Sequence, residues 1–256
     1  MELFDNIMSP YAFKVRLALY EKGIKFDKHE IRTHADRERL LEINPRGEVP
    51  ALCDGDAVLY DSAVICEYLD DRIPPSLLPD DPAARARVRL LEKFADGPLD
   101  GAVLVLGVMK AFRPDLVQSH PEAARTASEV LQRCHAQLEH ELGANEYLAG
   151  ATLTRADIAV VPHLIMAELV GDGIDGAKHP RLAAWLGRMR ERGSVQRATH
   201  EALEAFREWQ SDPDPLFSTK RLHWRSDRIE AALRVGLGPW LVEELAADRA
   251  FLPPVP

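Results

Sequence analysis

Residues 9–23 read SPYAFKVRLALYEKG, and this stretch sets the pattern for the first part of the chain. Ser9 is a typical helix N-cap residue, and Pro10 is tolerated at the first helical position because the N–H that it lacks would have no partner there. The apolar residues that follow recur at helical spacing and predict a buried face, and Gly23 is expected to end the helix. Three charged residues are expected to point away from that face: Lys14, Arg16 and Glu21.

Short strands and helices alternate on both sides of this helix. Residues 2–5 and 25–31 are strand-like, and residues 35–43 form a charged helix. Asp54-Gly55-Asp56 separates two apolar runs, residues 49–53 and 57–60, which is a strong hairpin signal. Another helix begins at Ser62. Residues 1–73 are therefore predicted to fold as β-α-β-α-β-β-α, a small mixed sheet covered by helices.

The rest of the chain is helical in pattern. Residues 73–82, IPPSLLPDDP, are a proline-rich linker. Residues 83–210 predict an all-helical domain, with helices at about 83–112 (broken near Gly97-Pro98), 121–142, 154–170, 180–191 and 195–209. Thr154 and Asp157 have the spacing of a capping box, and His163 is interpreted as a core residue. Residues 211–256 are predicted to pack on the helical domain and partly over a substrate cleft, because apolar residues such as Leu233, Trp224 and Trp240 need burial.

Composition restricts the function classes. The net charge of −9 argues against a nucleic-acid-binding protein. No uncharged stretch reaches the roughly 18 residues of a membrane span, and the first residues do not resemble a secretion signal. The three cysteines lack the spacing of a metal site and fit a reducing compartment. We therefore expect a cytoplasmic protein with no membrane or nucleic-acid partner and no bound metal.

Ser9 is the candidate for chemistry. A hydroxyl at a helix N-terminus lies where backbone N–H groups and the helix dipole favour negative charge. A thiol bound there would have its thiolate form stabilised, as happens in reactive protein cysteines. Two alternatives stay open, that Ser9 serves only as the helix cap and that the phenol of Tyr11 takes its place.

Two later segments predict a site for an extended peptide. If the Val49-Pro50 bond is cis, the backbone N–H and C=O of Val49 face outward and a peptide can add as an extra strand; an ordinary trans proline is the alternative. Ser62 offers a hydroxyl and a backbone N–H to a carboxylate, and Asp61 can accept an ammonium group. Taken by itself, the Asp61-Ser62 dipeptide is more often only a helix cap, and this alternative stays open. Together with Ser9, the order matches a γ-glutamyl tripeptide thiol.

The chain resembles the glutathione S-transferase superfamily over roughly residues 1–210. The stretches that carry the resemblance are SPYAFKVRLALYEKG, NPRGEVPAL, DSAVICEYL and LTRADIAVVP. The resemblance is to bacterial, serine-type members and implies a thioredoxin-like N-terminal domain, an all-α C-terminal domain and a homodimer. It also implies a cis bond at Pro50, glutathione contacts at Val49, Asp61 and Ser62, and stabilisation of the glutathione thiolate by Ser9. No cofactor is implied, because glutathione is a co-substrate.

Two departures from the family pattern concern substrate recognition. Asp61 stands where many members have Glu, and the 45 or so C-terminal residues exceed the usual length. A pocket for a small hydrophobic electrophile is expected from residues that are otherwise core or dimer contacts: Tyr11, Leu104, Val108, Met109 and Phe112.

The sequence therefore predicts a glutathione transferase of the detoxification type. The first alternative is a non-catalytic binding or regulatory protein, as polymerase-associated stress proteins of this fold are. A glutathione-dependent thiol-disulfide reductase is less favoured, because no cysteine precedes Cys53.

Overall fold

The computed structural model describes residues 1–211, 222–223, 226–247 and 249–251. These residues group into two compact units. The first contains residues 1–80 and 188–211, and the second contains residues 81–187 together with the described residues after position 220. This division differs from the expected helical domain of residues 83–210, because residues 188–211 pack with the first 80 residues.

The first unit is built on a four-stranded mixed sheet with the strand order β2-β1-β3-β4. Strand β2 runs parallel to β1, whereas β3 is antiparallel to both β1 and β4. The predicted element order and the mixed sheet are confirmed. The elements are β1 Glu2–Asp5, α1 Pro10–Glu21, β2 Asp27–Glu30, α2 His34–Ile43, β3 Ala51–Asp54, β4 Ala57–Tyr60 and α3 Ser62–Arg72.

Helix α1 lies deep in this unit. Every residue from Tyr11 to Leu19 is buried, and the helix contacts α3 and α10, which spans Gly193–Ser211. Lys14 and Arg16 are 1% and 0% exposed, so the prediction that they point away from the buried face was wrong. Periodicity fails here because α1 is covered on more than one side. A buried charge then requires a partner, and Arg16 lies 3.5 Å from Asp5.

Helix α10 and Arg192, the residue before it, are attached to the end of α1 by polar contacts. The Tyr20 hydroxyl donates to Oε1 of Glu201 at 2.8 Å, and Nη2 of Arg192 lies 2.7 Å from Oε2 of Glu21. Arg197 stacks over the Tyr20 ring, with its guanidinium carbon 4.2 Å from the ring centroid. These contacts explain why α10 belongs with the sheet.

Further along the chain the predicted helices are observed, with two π-helical turns between them. The expected break near Gly97-Pro98 is confirmed as the first turn, because proline removes a helical hydrogen bond and clashes with the preceding turn. None of the helices in the described residues has the length and apolar composition of a membrane span. The elements are α4 Pro82–Phe94, π turn Ala95–Leu99, α5 Asp100–Gly107, π turn Val108–Phe112, α6 Asp115–Ser119, α7 Pro121–Leu142, α8 Arg155–Leu169 and α9 Pro180–Glu191.

The capping box at the start of α8 is confirmed. The Asp157 carboxylate accepts the Thr154 N–H at 2.9 Å, and it also accepts the indole N–H of Trp185 at 3.0 Å. Asp157 and Trp185 are both fully buried. His163, in the same helix, is 1% exposed and lies in the core as predicted.

The described part of the tail packs within the second unit. Helix α11, Ser226–Arg234, contacts α5, while α12, Gly238–Ala246, buries Trp240 and Leu241. Two short strands that the sequence pattern did not show, β5 Leu222–His223 and β6 Ala250–Phe251, pair in parallel. Leu233 was expected to be buried and is 57% exposed. Trp224 lies outside the described residues.

Candidate functional site

The three predicted segments leave the same end of the sheet. Ala51, the first residue of β3, pairs with Phe4 on one side and with Tyr60 on the other. Because β3 is antiparallel to both neighbours, the chain after β1, the chain before β3 and the chain after β4 all start from this end. Ser9, Val49-Pro50 and Asp61-Ser62 are attached to those three ends; we call this group the sheet-end site.

Ser9 is the N-cap of α1. Its Oγ accepts the Ala12 N–H at 3.3 Å, and its backbone is extended, with φ −78° and ψ 121°. The capping role weighed as an alternative to chemistry is therefore present. This capping bond leaves the Ser9 hydroxyl able to donate, because an O–H group that accepts one hydrogen bond keeps its proton for a second partner.

Tyr11 is placed differently from Ser9. It is in the first turn of α1 and only 7% exposed, whereas Ser9 keeps part of its surface open. The two residues that the sequence offered as partners of a thiol therefore differ in exposure, with Ser9 the more exposed.

The Val49-Pro50 peptide bond is cis, as the resemblance implies. Within the described residues, neither the N–H nor the C=O of Val49 has a hydrogen-bond partner. The preceding loop is well fixed, since Asn44 donates from Nδ2 to the Glu48 carbonyl at 2.7 Å. Gly47 adopts φ +61°, and a β-carbon there would lie 2.9 Å from the Leu41 side chain. A fixed loop thus ends in an unpaired peptide group.

Asp61 and Ser62 form the other half of the site. Asp61 is the N-cap of α3, and its Oδ1 accepts the Ala63 N–H at 2.9 Å and the Val64 N–H at 3.4 Å. Ser62 is 4% exposed, and neither its N–H nor its hydroxyl has a partner among the described residues. Two adjacent donors without partners suit a carboxylate.

The backbone of Asp61 is strained. Its φ of +75° is the only positive value among the non-glycine residues that the structure describes. Such a conformation costs on the order of 1–3 kcal/mol and occurs mostly where the surrounding structure holds it at a functional site. No pattern in the sequence predicted this strain.

The candidates for the electrophile pocket divide into two groups. Val108 and Met109 have no exposed surface, which agrees with the alternative that they are core residues. Leu104 and Phe112 keep part of their surface open. Tyr11 belongs to the first compact unit and the other four to the second.

Sequence reasoning missed three charged residues around the loop that leads to Ser9. Asp5 and Arg16 are both fully buried, and Glu30 is the parallel-strand partner of Asp5. No motif signalled these residues, because only the tertiary structure brings them together.

Two family models match the sequence. The glutathione S-transferase N-terminal domain matches residues 8–72, and the glutathione S-transferase C-terminal domain matches residues 102–193. The chain is 33% identical over 165 residues to the stringent starvation protein A homolog of Coxiella burnetii, covering 64% of this chain and 74% of that protein. It is 30% identical over 214 residues to glutathione S-transferase U28 of Arabidopsis thaliana, covering 80% and 91%.

Solved structures give a consistent result. A glutathione S-transferase of Methylobacillus flagellatus with glutathione bound is 33% identical, with a TM-score of 0.67, and the match covers 77% of this chain and 98% of that one. A glutathione S-transferase of Rhodospirillum rubrum is 32% identical, with a TM-score of 0.67 and coverage of 77% and 90%. All of the sheet-end site lies inside residues 8–72.

Proposed function

This chain belongs to the glutathione S-transferase superfamily, and on that premise we propose that it binds glutathione at the sheet-end site and uses it as a thiolate. The observation that carries the proposal is the set of groups without partners at one end of the sheet. These groups are the Val49 peptide and the two donors of Ser62. A tripeptide supplies complements to both, a backbone amide and a terminal carboxylate.

Glutathione would lie along the sheet end in an extended conformation. Its γ-glutamyl carboxylate would accept from the N–H and hydroxyl of Ser62, and its ammonium group would face the Asp61 carboxylate. Its cysteinyl peptide would pair with Val49 as an added strand. Its thiol would then lie near Ser9, because β1 neighbours β3 at this end.

Ser9 would act on the sulfur. Its hydroxyl would donate a hydrogen bond to the thiolate while Oγ keeps the cap bond to Ala12. The N-terminus of α1 adds a favourable field, so the thiol loses its proton to solvent at a lower pH than in free glutathione. The thiolate would form a C–S bond to a small hydrophobic electrophile, and a leaving group departs with its electron pair or an addition product takes up a proton.

A thiol-disulfide reductase is not supported by the cysteines. Cys53 is at the far end of β3 from the sheet-end site, since it pairs with Glu2 at the start of β1. Burial and the nearby Glu2 carboxylate raise the pKa of Cys53. Burial also raises the pKa of Cys134, to about 11. A reactive cysteine requires the opposite shift.

A second candidate function is a non-catalytic binding or regulatory protein. The observation that favours it is the similarity to the stringent starvation protein A homolog of Coxiella burnetii. In that case the fold would be retained while turnover is lost. We keep a cytoplasmic, homodimeric enzyme of the detoxification type as the leading proposal.

One experiment separates the two functions. Glutathione binding is measured by titration calorimetry, and conjugation is then assayed with a chloronitrobenzene electrophile. Binding with turnover supports the enzyme. Binding without turnover of this or other electrophiles supports the non-catalytic protein, and no binding of glutathione at millimolar concentration contradicts the proposal.

A further inference from the structure

The backbone N–H and the backbone C=O of Ile7 are each held by a charged side chain. Oε1 of Glu30 accepts the Ile7 N–H at 2.8 Å. Nη2 of Arg16 donates to the Ile7 carbonyl at 3.2 Å. Ile7 is two residues before Ser9, in the loop that joins β1 to α1, and is itself 5% exposed.

The neighbouring peptide groups of this loop are fixed as well. Asn6 donates from Nδ2 to the Ile31 carbonyl at 2.9 Å, and its Oδ1 accepts the Met8 N–H at 3.1 Å. The Ser9 N–H donates to the Asn6 carbonyl at 2.8 Å. The loop is therefore tied through Asn6 to Ile31, the residue after β2, and the N–H groups of Met8 and Ser9 are bonded within the loop itself.

Arg16 is placed by two carboxylates. Its Nε lies 3.5 Å from Oδ2 of Asp5, and its Nη1 lies 3.4 Å from Oε2 of Glu201 on α10. The guanidinium is fully buried. A buried arginine without such partners would carry a large desolvation penalty. The two carboxylates therefore determine where the Arg16 guanidinium lies.

We propose that Glu30 and Arg16 are positioning residues for Ser9: they hold the Ile7 peptide and thereby fix where the serine hydroxyl meets the glutathione sulfur. The inference rests on the proposed function. A hydrogen bond to a thiolate depends on placement to within about 0.5 Å, which a loop achieves only when its own peptide groups are restrained. Neither residue touches the ligand; each acts through Ile7.

The proposal implies a pH dependence. Burial and the adjacent Asp5 carboxylate raise the pKa of Glu30. As the pH falls, Glu30 therefore takes up a proton earlier than an ordinary glutamate, and its hold on the Ile7 N–H weakens. The charges that act on Glu30 are those of Asp5 on β1, Lys28 on β2 and Arg32 in the loop after β2. Arg16 on α1 and Glu201 on α10 act in turn on Asp5.

The test compares Glu30→Ala with Glu30→Gln, whose amide oxygen still accepts an N–H but carries no charge. Glu2→Ala is the matched control, because Glu2 is an exposed carboxylate on β1 paired with His29. Five quantities are measured: the hydrogen exchange rate and the proton chemical shift of the Ile7 amide, the thiol pKa of bound glutathione from its thiolate absorbance, kcat and KM.

In Glu30→Ala we expect the Ile7 amide to exchange about tenfold faster or more, since a charge-assisted hydrogen bond is lost. The thiol pKa should rise and kcat should fall about tenfold, with KM for glutathione within about twofold of wild type. Glu30→Gln should restore most of kcat and remove the pH dependence of the Ile7 shift. Arg16→Lys should lower kcat in the same way.

Three results overturn the inference: an unchanged Ile7 amide in Glu30→Ala, an unchanged thiol pKa and kcat despite the loss of amide protection, or equal effects in Glu2→Ala. The amide measurements need no ligand. If the wild-type protein binds no glutathione, the proposed function fails, while the Ile7 exchange rate still upholds or overturns the restraint of the Ser9 loop by Glu30.

Discussion

Arg228 on the tail helix α11 donates from Nε to Oδ2 of Asp100 on α5 at 2.9 Å. The Asp100 side chain is 3% exposed, and Nε2 of His163 lies 3.5 Å from its other oxygen. Burial alone would raise the pKa of Asp100, but the charge of Arg228, with His163, holds it below the ordinary value. This buried ion pair joins the C-terminal extension to the helical unit.

Replacing Arg228 by Met should destabilise the protein by about 3 kcal/mol, because Asp100 is left buried without its main partner. The free energy of unfolding from urea titration measures the loss. Arg234→Met is the matched control on the same helix, since Arg234 forms an exposed pair with Glu230 and should change stability by less than about 0.5 kcal/mol. Equal losses in the two variants would contradict the role of the buried pair.

The tail helix also depends on a close approach at Gly101. A β-carbon there would lie 2.9 Å from Cβ of Ala231 and 3.0 Å from the Asp227 carbonyl oxygen. Gly101→Ala should therefore cost about 1–2 kcal/mol and speed proteolysis of the tail. A β-carbon at Gly107 would have no described atom within 4 Å. Gly107→Ala should therefore raise the free energy of unfolding by up to about 1 kcal/mol, because alanine has the higher helix propensity. A tail that resists protease equally in both variants would refute the close packing.

His135 should make the protein sensitive to acid. It is fully buried, and burial followed by the nearby His179 lowers its pKa to about 4, against a partial opposing effect of Asp172. Between pH 6.5 and about 4 the unfolded state binds more protons than the folded state. The free energy of unfolding therefore decreases as the pH is lowered, by roughly 3 kcal/mol at most.

His135→Leu should remove this loss of stability. It breaks no hydrogen bond, because neither ring nitrogen has a partner among the residues that the structure describes. Urea unfolding at neutral and acidic pH makes the comparison. His140→Gln, an exposed position on the same helix, should keep the wild-type dependence. An unchanged acid loss in His135→Leu would assign the effect to other groups.

Ser9→Ala should lower kcat about tenfold or more, equivalent to about 1.4 kcal/mol, by removing the hydrogen bond to the thiolate. KM for glutathione should change little. Loss of the cap costs about 1 kcal/mol of stability, which thermal unfolding detects separately. Tyr11→Phe should keep wild-type kcat; if it abolishes turnover while Ser9→Ala does not, the thiolate partner is the tyrosine.

Ser62→Ala and Asp61→Asn should raise KM for glutathione more than they lower kcat, because both residues bind the end of the tripeptide that does not react. Asp61→Asn keeps an oxygen for the Ala63 N–H, so the helix cap survives while the charge that faces the ammonium group is lost. Wild-type KM in both variants would contradict the proposed binding order.

The predicted coverage of a substrate cleft by residues 211–256 stays a prediction. Its test is truncation after Gln210, followed by a comparison of electrophile preference. A shift in preference with glutathione binding retained agrees with it, whereas an unchanged preference argues against it.

Local signals predicted most of the element boundaries. Helix α7, for example, was expected at 121–142 and spans Pro121–Leu142, and the capping box at Thr154 is present. The strands β5 and β6 were missed because two-residue strands are too short to show alternation. Leu233 was misjudged because an apolar residue need not be buried.

The sequence by itself determined the element order, the caps at Ser9 and Asp61, and the family, because caps, turns and helical periodicity act over a few residues. Only the tertiary structure decided that Arg16 is buried and holds the Ile7 carbonyl, that Asp61 is strained, and that α10 packs against α1. These features depend on contacts between residues distant in sequence, and the Arg16–Glu201 pair spans 185 positions. A buried charge is stable only where such a partner is brought to it, and no local pattern of residues contains that information.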